Sequence, residues 1–471
     1  MSPSDERVPE RTIALLRPRD ATGAAPARSS GGANAVTPPV DLLETAAVVR
    51  SSDRLTAGAS LRLALVDGAV DPDGTRGAVS RALALGPDAV VLGAEGADAP
   101  RALREAGQQL ATRRRGPTPG PLRVAILEDD PETAEQLLRE DCADVVLRGE
   151  VEEPIADVLS RAFEGQRGWD GVRGVSWRTD EGDVRHEPSA GRPAQLPLPA
   201  WDLVDLEDYR PAPGAGRLRA FLAARGLAPR ASKGVVTLRT TRSCGPDCPT
   251  CRGSFGHAAV KRPVDDVLRE VRELVARRHV RVLRLDDEAF DGHPGRAEEI
   301  ARGIARIAAA PHVRGFRLEL PRGLRGDGLS PSLVDALMEA GLRRFVLDVG
   351  TAAPRLQRLL KRNIDLDRAA SALEVIDRAG ARGHLKLLLG LPTETTGEAA
   401  RTIRWGARSA AHTASFLPGA DHDLGPLWRR GDEHEFDDFP ALRRRAMSAF
   451  YGSTRRARRL LRAAPRVLLD R

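Results

Sequence analysis

Three of the four cysteines of this 471-residue chain, Cys244, Cys248 and Cys251, lie within eight positions of one another. The glycine and the prolines between them exclude a regular helix and predict a loop that turns three thiolates toward one centre. Thiolates select zinc, copper or iron–sulfur clusters. Three protein ligands leave one coordination position open, which is typical of a centre that does chemistry. A structural zinc loop completed by His257, or three unrelated thiols, are the alternatives that the residues alone leave open.

An apolar strand, Val235–Arg239, leads directly into this loop. The spacing Cys-x3-Cys-x2-Cys after such a strand resembles that of the radical SAM enzymes. The resemblance implies that the three cysteines hold a 4Fe-4S cluster and that S-adenosylmethionine (SAM) binds its fourth iron. Four-cysteine ligation is the rule for closed clusters, so a missing fourth cysteine agrees with an open iron.

Three later segments carry the same resemblance, at Leu285–Phe290, Leu356–Lys361 and Leu389–Thr395. In this family the corresponding segments contain, in the same order, a strand end with two aspartates, a lysine and a Gly-x-Pro turn. The resemblance therefore implies cofactor contacts by four residues of this chain: Asp286, Asp287, Gly390 and Pro392. It implies no particular catalytic residue.

Thr393 and Gly350 are two of the residues that depart from the family pattern. Thr393 stands where the turn has a glycine. Gly350 stands where the family has a glutamate that contacts SAM, and Asp348 is the nearest carboxylate along the chain. One charged hydrogen bond contributes roughly 1.5–3 kcal/mol, so we expect weaker SAM binding than in the family.

The second half of the chain alternates short apolar runs with amphipathic helical patterns, which predicts βα units. Six such units suit a partial (βα)6 barrel over residues 234–425, with the site at the carboxyl ends of the strands. A helical tail follows at residues 426–471, and its basic pattern at Phe439–Leu461 favours a cover on the barrel. The predicted strands are Val235–Arg239, Val280–Leu285, Val313–Leu320, Arg344–Val349, His384–Leu389 and Thr413–Leu417.

The first half also alternates strands and helices, which predicts a parallel, doubly wound α/β sheet over residues 11–165. The segments Leu15–Pro18, Gly86–Val91 and Asp144–Glu150 resemble the Rossmann-like cobalamin-binding domain of one radical SAM subfamily. No Asp-x-His-x-x-Gly motif is present, so we expect no protein histidine on cobalt. A bound cobalamin and an empty, vestigial domain both stay open. Residues 166–233 are predicted to form a hairpin, at 172–187, and a linker.

The composition indicates the cellular compartment and the classes of partner to expect. No apolar run reaches the roughly 18 residues that span a membrane, and few, clustered cysteines favour a reducing compartment, so we expect a soluble, cytoplasmic protein. The net charge is +7 and the isoelectric point is near 9.8. Only four of the 73 basic residues are lysines, however, and the arginines are spread evenly, so we expect no nucleic-acid partner. Cys142 is predicted to be an inert core thiol.

The resemblance implies an enzyme that cleaves SAM reductively at a 4Fe-4S cluster to a 5′-deoxyadenosyl radical. With cobalamin it implies a C-methyltransferase of specialised metabolism. The expected partners are a flavodoxin- or ferredoxin-type electron donor and a small-molecule or peptide substrate. Two alternatives remain: a radical SAM enzyme with a vestigial first domain, and a non-catalytic paralogue that binds a cluster or zinc.

Overall fold

The computed structural model describes residues 9–19, 36–57, 59–96, 98–112, 120–166, 168–189, 195–209, 233–242, 260–419 and 438–469. The chain divides into two compact units, Met1–Val236 and Thr237–Arg471.

The first unit is built on one seven-stranded sheet, in the order β2-β1-β3-β4-β5-β6-β7. The first five strands pair in parallel, as predicted. Their bounds are β1 Glu10–Arg17, β2 Ser60–Asp67, β3 Ala89–Gly93, β4 Leu122–Leu127 and β5 Val145–Arg148. The helices between them are α1 Val40–Ser51, α2 Asp53–Thr56, α3 Gly74–Ala84, α4 Ala99–Thr112, α5 Pro131–Arg139 and α6 Pro154–Phe163.

Apolar residues are buried on both faces of this sheet. Alternate residues of each strand point to opposite faces, so one strand can contribute to both apolar layers. Ile13, Leu15 and Val91 pack on one side with α1 and α6. Ala14 and Leu16 pack on the other with α3, α4 and α5. Two apolar layers of this kind are the doubly wound arrangement that the sequence predicted.

The predicted hairpin is present and extends the sheet. β6 (Val175–Arg178) pairs antiparallel with β5, and β7 (Val184–His186) pairs antiparallel with β6. The Arg148 side chain at the end of β5 is buried and donates to Ser176 Oγ at 2.7 Å. The hairpin is therefore part of the first sheet, with Val175 and Trp177 of β6 buried in its core.

Six strands in the second half of the chain form two three-stranded sheets among the described residues, in the orders β12-β11-β8 and β13-β14-β15. Isolated parallel bridges, Leu318 with Leu342 and Leu324 with Leu347, connect the two sheets. Each sheet holds successive strands of a partial barrel, as predicted. The strands are β8 Lys233–Leu238, β11 Val280–Leu285, β12 Arg317–Glu319, β13 Arg344–Gly350, β14 Arg382–Leu389 and β15 Thr413–Pro418.

One predicted strand is shorter in the structure. Residues 313–320 were expected to be extended, but β12 covers only Arg317–Glu319. Gly315 has a φ of +69°, a left-handed conformation that interrupts an extended run. The strand therefore begins after this glycine.

Helices follow the strands of the second unit. A π-helical turn at Glu273–Arg277 extends the first of them. The helices are α7 Val264–Arg272, α8 Pro294–Ala308, α9 Pro331–Glu339, α10 Pro354–Leu359, α11 Leu366–Arg378 and α12 Thr396–Arg408.

The C-terminal pattern forms two helices, α13 (Phe439–Tyr451) and α14 (Thr454–Leu469). Phe450 of α13 lies edge-on to Phe416 of β15, with ring centroids 6.2 Å apart. Tyr451 Oη accepts a hydrogen bond from Ala414 N at 3.1 Å. α13 thus covers the barrel, as predicted. Within the described parts of the chain, no helix has the length and apolar character needed to span a membrane.

Candidate functional site

The segment that carries the three predicted cluster cysteines begins and ends on a short antiparallel ribbon. β9 (Thr241–Arg242) pairs with β10 (Val260–Lys261), so the two ends of residues 243–259 lie side by side. Cys244, Cys248, Cys251 and His257 lie outside the described residues, and their metal site stays a prediction. Within the described residues, no group of three His, Cys, Asp or Glu side chains could hold a metal ion.

Asp287, predicted to contact a cofactor, holds the start of this loop. Its Oδ1 accepts hydrogen bonds from Thr240 N at 2.7 Å and Thr241 N at 2.6 Å. Its Oδ2 accepts from Thr240 Oγ1 at 2.8 Å. Burial raises the pKa of this carboxyl to about 6, against the effect of these hydrogen bonds. Both oxygens are occupied by the chain itself, so the geometry gives Asp287 a positioning role, and its cofactor contact stays a prediction.

Arg296 of α8 binds both ends of the same loop, which sequence reasoning missed. Its Nη2 donates to Thr240 O at 2.9 Å and to Arg262 O at 2.6 Å. Its Nη1 donates to Thr240 Oγ1 at 3.1 Å. No motif marks this arginine, because a surface arginine and a bridging one look alike in a sequence rich in arginine.

Asp286 lies at the end of β11 and is paired. Its backbone N–H donates to Leu238 O at 2.9 Å. Its two carboxylate oxygens accept from Arg322 Nε and Nη2, each at 3.0 Å. Its side chain keeps about a fifth of its surface exposed, so it still faces open space at a strand end.

The Gly-x-Pro turn after β14 is closed by its own glutamate. Glu394 is almost completely buried, and its Oε2 accepts from Gly390 N at 2.6 Å and Leu391 N at 3.2 Å. Its Oε1 has no hydrogen-bond partner among the described residues. Burial raises the pKa of Glu394 to about 7. Gly390 has a φ of +70°, so its glycine is needed, and Pro392 is half-buried beside it.

Thr393 shows why the family has glycine in this place. Its φ is +61°, a conformation that is strained for a β-branched residue. Arg355 supports the turn by donating to Thr393 O at 2.6 Å and to Glu398 Oε2 at 2.7 Å.

β13 ends at Gly350, where the family glutamate is missing. Gly350 has a φ of +72°, and a Cβ there would lie 3.6 Å from Arg362 Nη1. Arg362 is already paired with Asp348, with Nη1 and Oδ1 3.2 Å apart. Asp348 therefore neutralises an arginine at this strand end, and a glutamate at position 350 would compete for that arginine.

Polar side chains occupy the inner positions of β13, β14 and β15. The register places Asp348, Lys386 and Ser415 in one row and Val346, His384 and Thr413 in the next. His384 is buried, and its Nδ1 and Nε2 lie 2.7 Å from Thr413 Oγ1 and 3.0 Å from Ser415 Oγ.

Burial, Arg344 and Lys386 lower the pKa of His384 to about 3, so this histidine is neutral at physiological pH. A polar residue inside an apolar strand run was the signal that could have found these positions.

The carboxyl edge of the first sheet is a second candidate site. The order β2-β1-β3-β4-β5 has its topological switch point between β1 and β3, where such sheets bind ligands. Gly96 after β3 and Gly149 after β5 have φ values of +88° and +74°, and no atom of the described residues lies closer than 3.6 Å to a Cβ built at either. Glycine turns of this kind allow a ligand to approach the backbone closely.

Other groups at this edge bind one another. Asp67 at the end of β2 accepts from Arg17 Nε at 2.8 Å and from Tyr209 Oη at 2.6 Å. Burial raises the pKa of the Tyr209 hydroxyl, so Tyr209 stays a neutral donor. Asp129 after β4 pairs with Arg148, 2.6 Å apart, and Asp130 caps α5.

Cys142 is buried in the first unit, with its Sγ 3.7 Å from Glu140 O. Burial raises its pKa to about 11, which keeps it a thiol. The buried position is the predicted one, and the lack of reactivity stays a prediction.

The chain is similar in sequence to one protein family and to one curated protein. Residues 238–406 match the model of the radical SAM superfamily. An uncharacterised methyltransferase of Pyrococcus horikoshii is 24% identical over 307 residues, which are 63% of this chain and 60% of that protein. The chain thus spans about three fifths of the curated relative that it matches.

Two solved structures share the fold. One is the radical S-adenosylmethionine methyltransferase TsrM of Kitasatospora setae with cobalamin and a 4Fe-4S cluster bound, with a TM-score of 0.61 and 17% identity over 87% of this chain and 72% of that one. The other is the cobalamin-dependent S-adenosylmethionine radical enzyme OxsB with aqua-cobalamin and S-adenosylmethionine bound, with a TM-score of 0.63 and 13% identity over 94% of this chain and 55% of that one.

Proposed function

We propose that this chain, whose residues 238–406 match the model of the radical SAM superfamily, is a cobalamin-dependent radical SAM enzyme that methylates carbon. Cys244, Cys248 and Cys251 would hold the 4Fe-4S cluster. When bound, the cluster would supply the electron for reductive cleavage of SAM to a 5′-deoxyadenosyl radical, and cobalamin would supply the methyl group for transfer to a substrate carbon.

The observation that carries this proposal is the construction of the cysteine loop. Asp287 binds the start of the loop through three hydrogen bonds, and Arg296 binds both of its ends. A loop fixed at its base by a buried carboxylate and a guanidinium is suited to present three thiolates in one arrangement.

The carboxyl ends of the strands supply the rest of the site. Asp286 ends β11 and keeps part of its carboxylate exposed, and Gly390 with Pro392 follows β14. These residues would bind the adenosyl and methionyl parts of SAM. The absence of a glutamate at Gly350 removes one charged contact, so we expect SAM to bind more weakly than in relatives that keep it.

The first unit would bind cobalamin at the switch point between β1 and β3. The open turns at Gly96 and Gly149 support this, as do the cobalamin complexes of the two proteins that share the fold. The TsrM structure with tryptophan bound favours a small-molecule substrate, and a peptide is the other class. A flavodoxin or ferredoxin would supply the electron.

Metal, sulfide and corrinoid analysis of the anaerobically reconstituted chain tests the proposal. We expect about four irons per chain with matching sulfide, and loss of both when any one of the three cysteines becomes alanine. Stoichiometric zinc without sulfide would instead identify a zinc-binding paralogue. Iron and sulfide without corrinoid would identify a radical SAM enzyme with a vestigial first domain.

A further inference from the structure

Lys386 is a cation without an ion-paired carboxylate on the inner face of β14. Its Nζ donates to two backbone carbonyls, Pro321 O and Arg322 O, each at 3.3 Å. No carboxylate lies within ion-pair distance of it among the residues that the structure describes. These carbonyls follow β12, so the lysine side chain extends from β14 across β13 at the carboxyl half of the sheet.

The charges that face Lys386 are mostly positive. Burial lowers its pKa most, Asp348 opposes this as the strongest single charge, and Arg344, Arg362 and Arg322 lower the pKa further. Asp348 already pairs with Arg362.

The other nearby carboxylate is also engaged, since Asp286 pairs with Arg322. Arg344, two rows below Lys386 on the same face, makes no hydrogen bond or ion pair with a carboxylate of the described residues. Lys386 and Arg344 are therefore two cations of this face that form no ion pair of their own among the described residues, and the Asp348 beside Lys386 is shared with Arg362.

An inner strand position is normally apolar, because both faces of such strands are buried. A half-buried cation without a countercharge lowers stability unless a ligand supplies the opposite charge. His384, directly below Lys386, adds no charge because it is neutral. The carboxyl half of the strands is also where barrel enzymes bind their substrates.

We propose that Lys386 binds an anionic oxygen group of the substrate, a carboxylate or a phosphate, inside the second unit. This inference rests on the proposed function, because it names the substrate class of that same site. Lys386 would be a specificity-determining residue that orients the substrate, with Arg344 adding a longer-range attraction.

The small number of lysines allows a direct test. The chain has four lysines, so the full chain labelled with ¹³C at lysine Cε gives one signal for each, and the Lys386 signal is the one lost in Lys386→Arg. The labelled chain, purified anaerobically and without reductant, is titrated separately with sodium acetate and with inorganic phosphate against sodium chloride of equal ionic strength. Lys261, which is exposed, provides the internal control.

We expect the Lys386 signal to shift saturably with acetate or phosphate, while the Lys261 signal moves as it does in chloride. A response to phosphate alone assigns a phosphate group, and a response to acetate assigns a carboxylate. The inference is overturned if Lys386 responds no more than Lys261. It is also overturned if SAM shifts the Lys386 signal and abolishes the response to both anions, because Lys386 would then bind the cofactor.

A second measurement uses thermal unfolding, since an anion that binds the folded chain raises its midpoint. The rise should persist in Lys386→Arg. In Lys386→Gln the affinity for the anion should fall about tenfold to a hundredfold, the loss expected for a charged hydrogen bond. An equal rise in both variants would contradict the proposal. Neither measurement requires SAM cleavage, so failure of the proposed function is detected separately.

Discussion

In the turn that follows β14, two adjacent residues adopt states that cost free energy. Thr393 has a left-handed backbone, and Glu394 is a buried carboxyl with one oxygen lacking a described partner. Strain and raised pKa values concentrate at functional sites. Both residues belong to the turn in which Gly390 and Pro392 are predicted to contact SAM. The strained residues therefore lie at the proposed site.

Replacing Thr393 with glycine should stabilise the chain by about 1 kcal/mol, because glycine has no Cβ to clash at a positive φ. The free energy of unfolding by denaturant measures the change. Thr393→Ala is the matched control, since it removes the hydroxyl but keeps the Cβ. If the glycine variant is no more stable than the alanine variant, the strain is absent.

Replacing Glu394 with glutamine should remove a pH dependence of stability. The pKa of Glu394 is about 7 in the folded chain against an ordinary value of 4.5, so between these values the folded chain keeps a proton that the unfolded chain loses. Stability therefore falls as the pH rises through this window, by roughly 3 kcal/mol at about 1.4 kcal/mol per pKa unit. Glutamine cannot ionise, and its oxygen can still accept from Gly390 N and Leu391 N.

Urea unfolding at about pH 5 and about pH 8 measures this effect, and glutamine should gain most at the higher pH. Glu398→Gln is the control. Hydrogen bonding to Arg355 lowers the pKa of Glu398 to about 2, so its ionised form stabilises the fold at both pH values. Losing it should therefore destabilise the chain at both. Parallel pH profiles for wild type and Glu394→Gln would contradict the account.

At the scale of elements, the cysteine loop depends on α8 as well as on the strand that precedes it. Arg296 of this helix hydrogen-bonds to Thr240 O and Arg262 O, on opposite sides of residues 243–259. The ribbon of β9 and β10 has only two residues in each strand, and so short a pairing is weak by itself. The helix therefore stabilises the ribbon.

Replacing Arg296 with methionine should reduce iron retention without unfolding the chain. Charged hydrogen bonds contribute roughly 1.5–3 kcal/mol each, and their loss frees both ends of the loop. The measurement is iron per chain after gel filtration of reconstituted protein. Arg302→Met is the matched control, because Arg302 lies on the same helix and its ion pair within the described part of the chain is with the surface residue Glu298, at 2.6 Å. Equal iron retention in the two variants would show that Arg296 does not support the loop.

The strands of both units were predictable from sequence, because buried parallel strands are short apolar runs separated by helical patterns. The roles of single polar residues were harder to predict. Asp287 was expected to contact a cofactor, yet its carboxylate binds Thr240 and Thr241, because sequence spacing does not show which way a side chain at a strand end turns. Arg296 and Arg322 had no sequence signal, since their partners lie far away along the chain.

At the scale of the whole molecule, the two units carry different halves of the proposed chemistry. The first unit has a sheet with glycine turns at its carboxyl edge, and residues 238–406 of the second match the model of the radical SAM superfamily. The resemblance inferred from the cysteine spacing is thereby confirmed, although the cysteine site itself stays a prediction. The predicted domain boundaries, including the linker at residues 166–233, also stay predictions.

Cobalamin bound to the first unit should have no protein histidine on cobalt. His186 is the only histidine in residues 1–200. It lies on β7, at the opposite edge of the sheet from β1 and β3, and its Nδ1 is 2.8 Å from Ser176 Oγ. The absorption spectrum of the bound corrinoid should therefore be the same in His186→Ala and in wild type. A spectral shift in this variant would contradict the placement at the switch point.

Formation of 5′-deoxyadenosine tests the proposal that the second unit cleaves SAM reductively. Cluster-loaded chain is incubated anaerobically with SAM and dithionite, and the nucleoside is quantified per cluster. We predict formation that requires dithionite and is abolished in Cys244→Ala, Cys248→Ala and Cys251→Ala. No 5′-deoxyadenosine from wild-type chain with a full cluster would contradict the claim and identify a cluster-binding protein without this activity.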